Sequence, residues 1–223
     1  MTILTPARLQ TLSTSFPLLS TNWYYLAAAT FSICNVPEEV PVIFEYMLQK
    51  VDTDKEKFEM VQRIREAILK SSALGGLPKA INSLMQLKTA TPEPLRETRL
   101  QRTPAHQQGL EDRGATFFDQ VYGKINKRVM SQMSTAYPDL GYYALNHVYA
   151  PLLSYTGILG PKETSLVVIA SLIPQDVNPQ LKGHLKGALN NGATKEEVMQ
   201  VRELAMLIAK WSGVNWKSEV AKL

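Results

Sequence analysis

Residues 160–213 read GPKETSLVVIASLIPQDVNPQLKGHLKGALNNGATKEEVMQVRELAMLIAKWSG, and local signals alone mark off three helices in them. The first opens at Pro161, a residue suited to a first turn because its missing N–H is not needed there. It runs through Leu166, Val167, Ile169, Ala170 and Ile173 to Pro174. The second follows Pro179 and stops at Asn190-Asn191-Gly192, where glycine can take the left-handed conformation that ends a helix. Thr194 and Glu197 form a capping-box pair for the third, whose apolar stripe is Val198, Val201, Leu204, Ala205 and Ile208, ending at Gly213. His184 lies on the middle helix with Leu181, Leu185, Ala188 and Leu189. Its spacing from Leu181 and Ala188 turns it toward the core side.

Outward from this stretch the helical pattern continues and no alternating strand pattern appears, so the sequence predicts an all-α fold. Residues 1–36 read as helical with early breaks at Pro6 and Pro17, and Trp23-Tyr24-Tyr25-Leu26 reads as core packing. A helix through Ile43, Phe44, Met47 and Leu48 precedes a turn at Asp52-Thr53-Asp54. A longer one carries Phe58, Val61, Ile64, Ile68 and Leu69 and ends at Gly75-Gly76. Pro78 then begins a short helix. Further on, one helix is expected over Phe117, Phe118, Val121, Tyr122, Ile125 and Val129. Another runs from Pro138 through Tyr143, His147 and Leu152 to Gly157.

At a constant offset the two ends of the chain echo each other: Pro37 with Pro174, Val40 with Val177, Leu48 with Leu185, Glu59 with Glu196 and Val61 with Val198. Arg65-Glu66 and Gly76 recur as Arg202-Glu203 and Gly213. This register predicts two copies of one helical unit: residues 1–87 as a degenerate first copy, 88–113 as a polar linker, and 114–223 as the second copy. Met47 stands in the first copy where His184 stands in the second, so histidine chemistry is confined to the second. The recurring Arg-Glu pair reads as a structural ion pair or cap. The linker carries His106, read as a solvated bystander.

Composition sets broad limits. Of 223 residues 45% are hydrophobic and 20% charged, as in an ordinary soluble globular protein. The formal charge of +4 comes from 24 basic and 20 acidic side chains that are interspersed, with no basic block and interleaved aromatics, so no nucleic-acid partner is expected. The longest apolar run, near Trp23 to Val36, is too short to span a membrane, and no membrane partner is expected. A single cysteine, Cys34, leaves no internal disulfide, CxxC pair or multi-cysteine zinc site, and reads as a reduced interior thiol. No phosphate loop, nucleophile elbow or metal-ligand spacing is present, so neither a cofactor nor a metal is expected. The final Ala221-Lys222-Leu223 is a conservative variant of a peroxisomal address, an expectation of import by a receptor into the peroxisome matrix. Cytoplasm and mitochondrion are the alternatives.

The candidate chemistry centres on His184, which titrates near neutrality and can act as general acid or base. Tyr122, Tyr143 and His147 are the other candidate catalytic residues, His147 having Tyr143 one turn before it. Glu163 and Glu196-Glu197 sit in first turns, where they favour the helix dipole. Gly183 and Gly187 flank His184 one turn apart, and provide either close helix packing or room for a ligand.

LGPKETSLVVIASL, followed by QLKGHLKGALNNGATKEEVMQV, resembles the carboxymuconolactone decarboxylase family, which shares its fold with the alkyl hydroperoxidase D proteins. The segment HLKGALNNGATKEEV, His184 to Val198, carries most of the likeness, and two copies with a C-terminal peroxisomal tripeptide look like a fungal branch. The resemblance implies an all-helical homo-oligomer with a pocket lined by the histidine helix. Peroxidase-type relatives use a CxxC and a glutamate at positions held here by Val177, Gln180 and Ser165, which argues against thiol peroxidase chemistry. Decarboxylase-type relatives act without cofactor on small lactone acids. By that resemblance His184 supplies a proton to carbon, with Tyr122, Tyr143 or His147 as donors to the lactone carbonyl. A hydrolase or isomerase using the same pocket, and a non-catalytic oligomeric scaffold or binding module, are the competing expectations.

Overall fold

The computed structural model describes residues 2–103 and 108–223, and among them no strand occurs. His106 lies outside the described residues. The first half contains α1 (Pro6–Thr14), α2 (Trp23–Ile33), α3 (Glu39–Leu48), α4 (Asp54–Gly75) and α5 (Leu77–Ala90). The second contains α6 (Leu110–Tyr122), α7 (Asn126–Ala136), α8 (Pro138–Tyr143), a π-helical segment Ala144–Leu153, α9 (Pro161–Leu172), α10 (Asn178–Asn190) and α11 (Lys195–Trp211).

Two helices form the centre because they are apolar all round. Every residue of α2 is buried, as is α9 from Thr164 to Leu172. They pack on each other, with α4 and α11 laid against both. One continuous core therefore contains Tyr25, Phe31, Ile64 and Ile68 together with Leu166, Ile169, Val201 and Leu204. Each such side chain contributes on the order of 1.5–3 kcal/mol by leaving water.

The local signals act as the sequence predicts. Thr53 and Glu56, and Thr194 and Glu197, form reciprocal caps at the starts of α4 and α11. Glu163 accepts the Gly160 N–H at 2.6 Å and also meets Arg63 at 3.3 Å, a cap plus an ion pair.

Four sequence expectations are corrected. The helix expected through Phe117 to Val129 is two helices, because Gly123 takes φ 51° and the chain turns there. The expected linker is helical at both ends, its first residues closing α5 and its last opening α6. Within it Arg102 is bound to the body, meeting Glu66 Oε2 at 3.0 Å and the Pro151 carbonyl at 3.0 Å, and its guanidinium lies over the Tyr155 ring. The helix begun at Pro138 changes after Tyr143 to π-type hydrogen bonding. Fully buried Lys70 donates to the carbonyls of Leu152, Leu153 and Tyr155 at 3.0, 3.1 and 2.7 Å where that segment ends. Burial pulls this ammonium down to about 8, against the opposing pull of Glu66 at 3.6 Å.

The fourth correction concerns the recurring Arg-Glu pair. Arg202 holds the last segment of the chain, donating to the carbonyls of Ala221 and Val220 at 2.8 and 2.7 Å, while Glu203 is exposed. Asn178 accepts the Ala221 N–H at 2.8 Å, and Lys222 pairs with Glu219 at 3.1 Å. Arg65 does the equivalent work in the first half, donating to the Leu95 carbonyl at 3.0 Å. No helix in the described residues is long and apolar enough to cross a membrane.

Candidate functional site

The site is made where α10 crosses α6. A Cβ on Gly187 would meet Val121 Cγ1 at 2.8 Å and the Val121 carbonyl oxygen at 3.0 Å, so only glycine lets these helices approach so closely. Asn190 donates to the same carbonyl at 3.0 Å and locks the crossing. The contact carries the next residue of α6, Tyr122, to His184. Gly183 has a different role, since a Cβ there would lie 3.6 Å from the Tyr122 ring, in ordinary contact. Of the two glycines flanking His184, one closes a helix contact and the other borders the open space described below.

Tyr122 Oη and His184 Nε2 are 3.3 Å apart, and Tyr149 of the π-helical segment donates to Tyr122 Oη at 3.1 Å. Phe118 holds both phenols from the side, its ring centroid 4.6 Å from Tyr122 and 4.9 Å from Tyr149. Behind Phe118, the α6 backbone seats on the π segment: a Cβ on Gly114 would meet Ala150 Cα at 2.7 Å. Burial pushes the His184 imidazole down to about 4, and no charged neighbour opposes it. Burial raises both tyrosines. His184 is therefore neutral at pH 7 and has one ring nitrogen free to accept a proton. Because Tyr149 has already donated to Tyr122, one arrangement leaves no buried hydroxyl proton without an acceptor: Tyr122 donates to Nε2. That assignment puts the imidazole hydrogen on Nδ1.

An open cleft of about 570 Å³ adjoins this trio, bounded by α7 and α8 on one side and the start of α10 on the other. Of the three, Tyr122 is the one that lines it. Ile125, Val129, Met133, Ala136 and Leu140 make an apolar wall. Arg128, Lys182 and Lys186 also line the cleft, no acidic residue does, and none of the three cations has an ion pair or hydrogen bond among the described residues.

Of the four candidate residues, the structure brings Tyr122 and His184 together and leaves Tyr143 and His147 away from them. Both are exposed, Tyr143 by 59%, and their rings lie on each other with centroids 5.2 Å apart. The wider π turn changes which residues face inward, so Tyr149 is buried there while His147 is exposed. Tyr149 was missed for the same reason. Leu189, expected in the buried stripe, is 39% exposed. Cys34 is half-buried, and burial pushes its thiol up to about 11, far from a reactive thiolate. No group of three metal-ligating side chains occurs among the described residues.

The sequence over residues 141–223 matches the carboxymuconolactone decarboxylase family. The matched span carries His184 and Tyr149, and Tyr122 lies before it. Two proteins named "Peroxisomal protein 2" are similar over nearly the whole chain. The one from Saccharomyces cerevisiae is 40% identical, covering 99% of each chain, and the one from Schizosaccharomyces pombe is 39% identical, covering 91% of this chain and 92% of its own. The chain belongs to the carboxymuconolactone decarboxylase-like family, in the branch that holds these two yeast proteins.

Proposed function

We propose that this protein is a peroxisomal, cofactor-free catalyst of proton transfer on a small organic acid or lactone, with Tyr122 and His184 as its working pair. The observation that carries this reading is the hydrogen bond between a neutral imidazole and a half-buried phenol that lines a cleft. A base that stays unprotonated at pH 7 can take a proton, and Tyr122 is placed to relay it between ligand and Nε2. In this reading His184 is the base and Tyr122 the group nearest the substrate, with Tyr149 directing the Tyr122 proton. Loss of CO2 from a carboxylated unsaturated lactone is one such reaction: electrons left at carbon pass into the lactone carbonyl, and the carbon then takes the Tyr122 hydroxyl proton, which a solvent proton carried by His184 replaces. The names of the yeast relatives and the Ala221-Lys222-Leu223 ending support the compartment. The matching caps of α4 and α11 support two copies of one unit, and family likeness supports a homo-oligomer.

The test is turnover of γ-carboxymuconolactone, together with deuterium exchange at the carbon beside the carbonyl in a panel of carboxylic acids and lactones, followed by NMR. The wild-type chain should act on at least one compound, and His184→Ala and Tyr122→Phe should each slow it by about 100-fold or more. Equal rates in wild type and His184→Ala, or no reaction with any of them, overturns the proposal.

A further inference from the structure

The walls of the cleft bear on what the ligand looks like. Ile125, Val129 and Met133 recur every four residues, and Ala136 extends the row. From Ile125 to Ala136 the row is about 16 Å long at the ~1.5 Å rise per residue of a helix. No residue of α7 is fully buried: Val129 and Met133 touch the core with one side and leave the other to the cleft, and Ile125 and Ala136 are exposed. Opposite it, Lys182 and Lys186 stand one turn apart on α10 on either side of Gly183, and Arg128 adds a third positive charge from α7. Three unpaired cations around an opening with no carboxylate make a site of positive potential that selects anions. The volume of about 570 Å³ lies within the ~300–1,000 Å³ of sites that enclose drug-sized molecules. A compact lactone acid leaves most of the apolar wall in water.

We infer that the cleft binds an amphiphilic carboxylate: an aliphatic acid whose chain lies along Ile125, Val129, Met133 and Ala136 while its charged group meets Lys182, Lys186 and Arg128. This narrows the organic acid of the proposed function to one with a long apolar tail, and it rests on the reading that the cleft beside Tyr122 is the substrate site. Each methylene set against the wall is withdrawn from water, so affinity rises steeply with chain length. The cations supply a contribution that salt weakens.

Titration calorimetry of the full chain with butanoate, octanoate and dodecanoate, kept below micelle-forming concentrations, tests this. Dodecanoate should bind at least tenfold more tightly than butanoate, and dodecanol at least tenfold more weakly than dodecanoate. The double variant Lys182→Glu/Lys186→Glu should lose at least tenfold in dodecanoate affinity, and so should Met133→Asp. Circular dichroism checks that each is folded, with Lys182→Gln/Lys186→Gln as the milder replacement. Equal affinity for butanoate and dodecanoate, equal affinity for dodecanol, or no response to the lysine changes overturns the inference. So does a change of oligomer mass in Met133→Asp with dodecanoate binding intact, which makes the row a subunit contact. Dodecyl phosphate binding in place of dodecanoate likewise rejects the carboxylate. His184→Ala should keep dodecanoate affinity while losing proton exchange, so failure of the chemistry and failure of the ligand assignment are read separately.

Discussion

The segments α2–α3–α4 and α9–α10–α11 use the same local devices and reach different ends. In each, a residue other than glycine takes a left-handed conformation before the middle helix, Asn35 at φ 60° and Asp176 at φ 58°. A Thr-Glu capping box starts each last helix, a positive-φ glycine follows it, and an arginine near its middle binds backbone carbonyl oxygen in the segment beyond. What differs is the company of the middle helix. α5 covers α3, whereas α10 packs on α6 and receives Tyr122. Met47 in the first half is half-buried among hydrophobic neighbours, while the corresponding His184 has a phenol. In the proposed reading His184 becomes a site only through a neighbour, Tyr122, that arrives from outside α9–α10–α11.

Several changes would break or sharpen this contrast. The largest effect is expected from Lys70→Leu, since Leu207 stands at the equivalent position of the second half. Three carbonyls and Glu66 lose their buried cation, and denaturant unfolding should show a loss of about 3 kcal/mol or more. His184→Met, which copies the first half, should cost about 100-fold in proton exchange, close to 3 kcal/mol of barrier, while unfolding free energy changes by about 1 kcal/mol or less. Acid comes next. The unfolded histidine holds its proton below about 6.5 and the folded one only below about 4. Stability linked to His184 is thus fully present above pH 6.5 and is lost as pH falls through that interval, by about 2 kcal/mol after discounting for partial exposure. His184→Gln should flatten the difference between melts at pH 7 and pH 4; an unchanged slope removes the buried-imidazole description. The smallest effect belongs to Arg202→Ala, expected to cost about 1 kcal/mol and to raise hydrogen exchange at residues 217–223 without touching α6.

Much of the fold is legible in the sequence because its helix boundaries are written in residues with one mechanical meaning. Thr194 with Glu197, Pro161, Gly76 and Gly213 each act on their own backbone, so no distant information is needed to read them. His184 was legible as a core-facing polar residue for the same reason, and its spacing from Leu181 and Ala188 is preserved in the structure. Tyr149 was not, because a change from α to π hydrogen bonding leaves no mark in apolar periodicity and rotates every later side chain. The role of residues 88–113 was also hidden. Their polarity is that of a linker, yet Arg65, Glu66 and Tyr155 meet Glu97 and Arg102 through contacts between residues far apart in sequence.

The ammonium of Lys70 has one further consequence, for the order in which the protein matures. It sits on a helix of the amino-terminal half and ties down the carbonyls that end the wide turns bearing Tyr149. The phenol that orients Tyr122 therefore settles only once chain regions some eighty residues apart have met. A newly made chain can have the helices of both halves in place and still lack the Tyr149–Tyr122–His184 contacts, so the proposed chemistry would be acquired late, as a property of the finished whole.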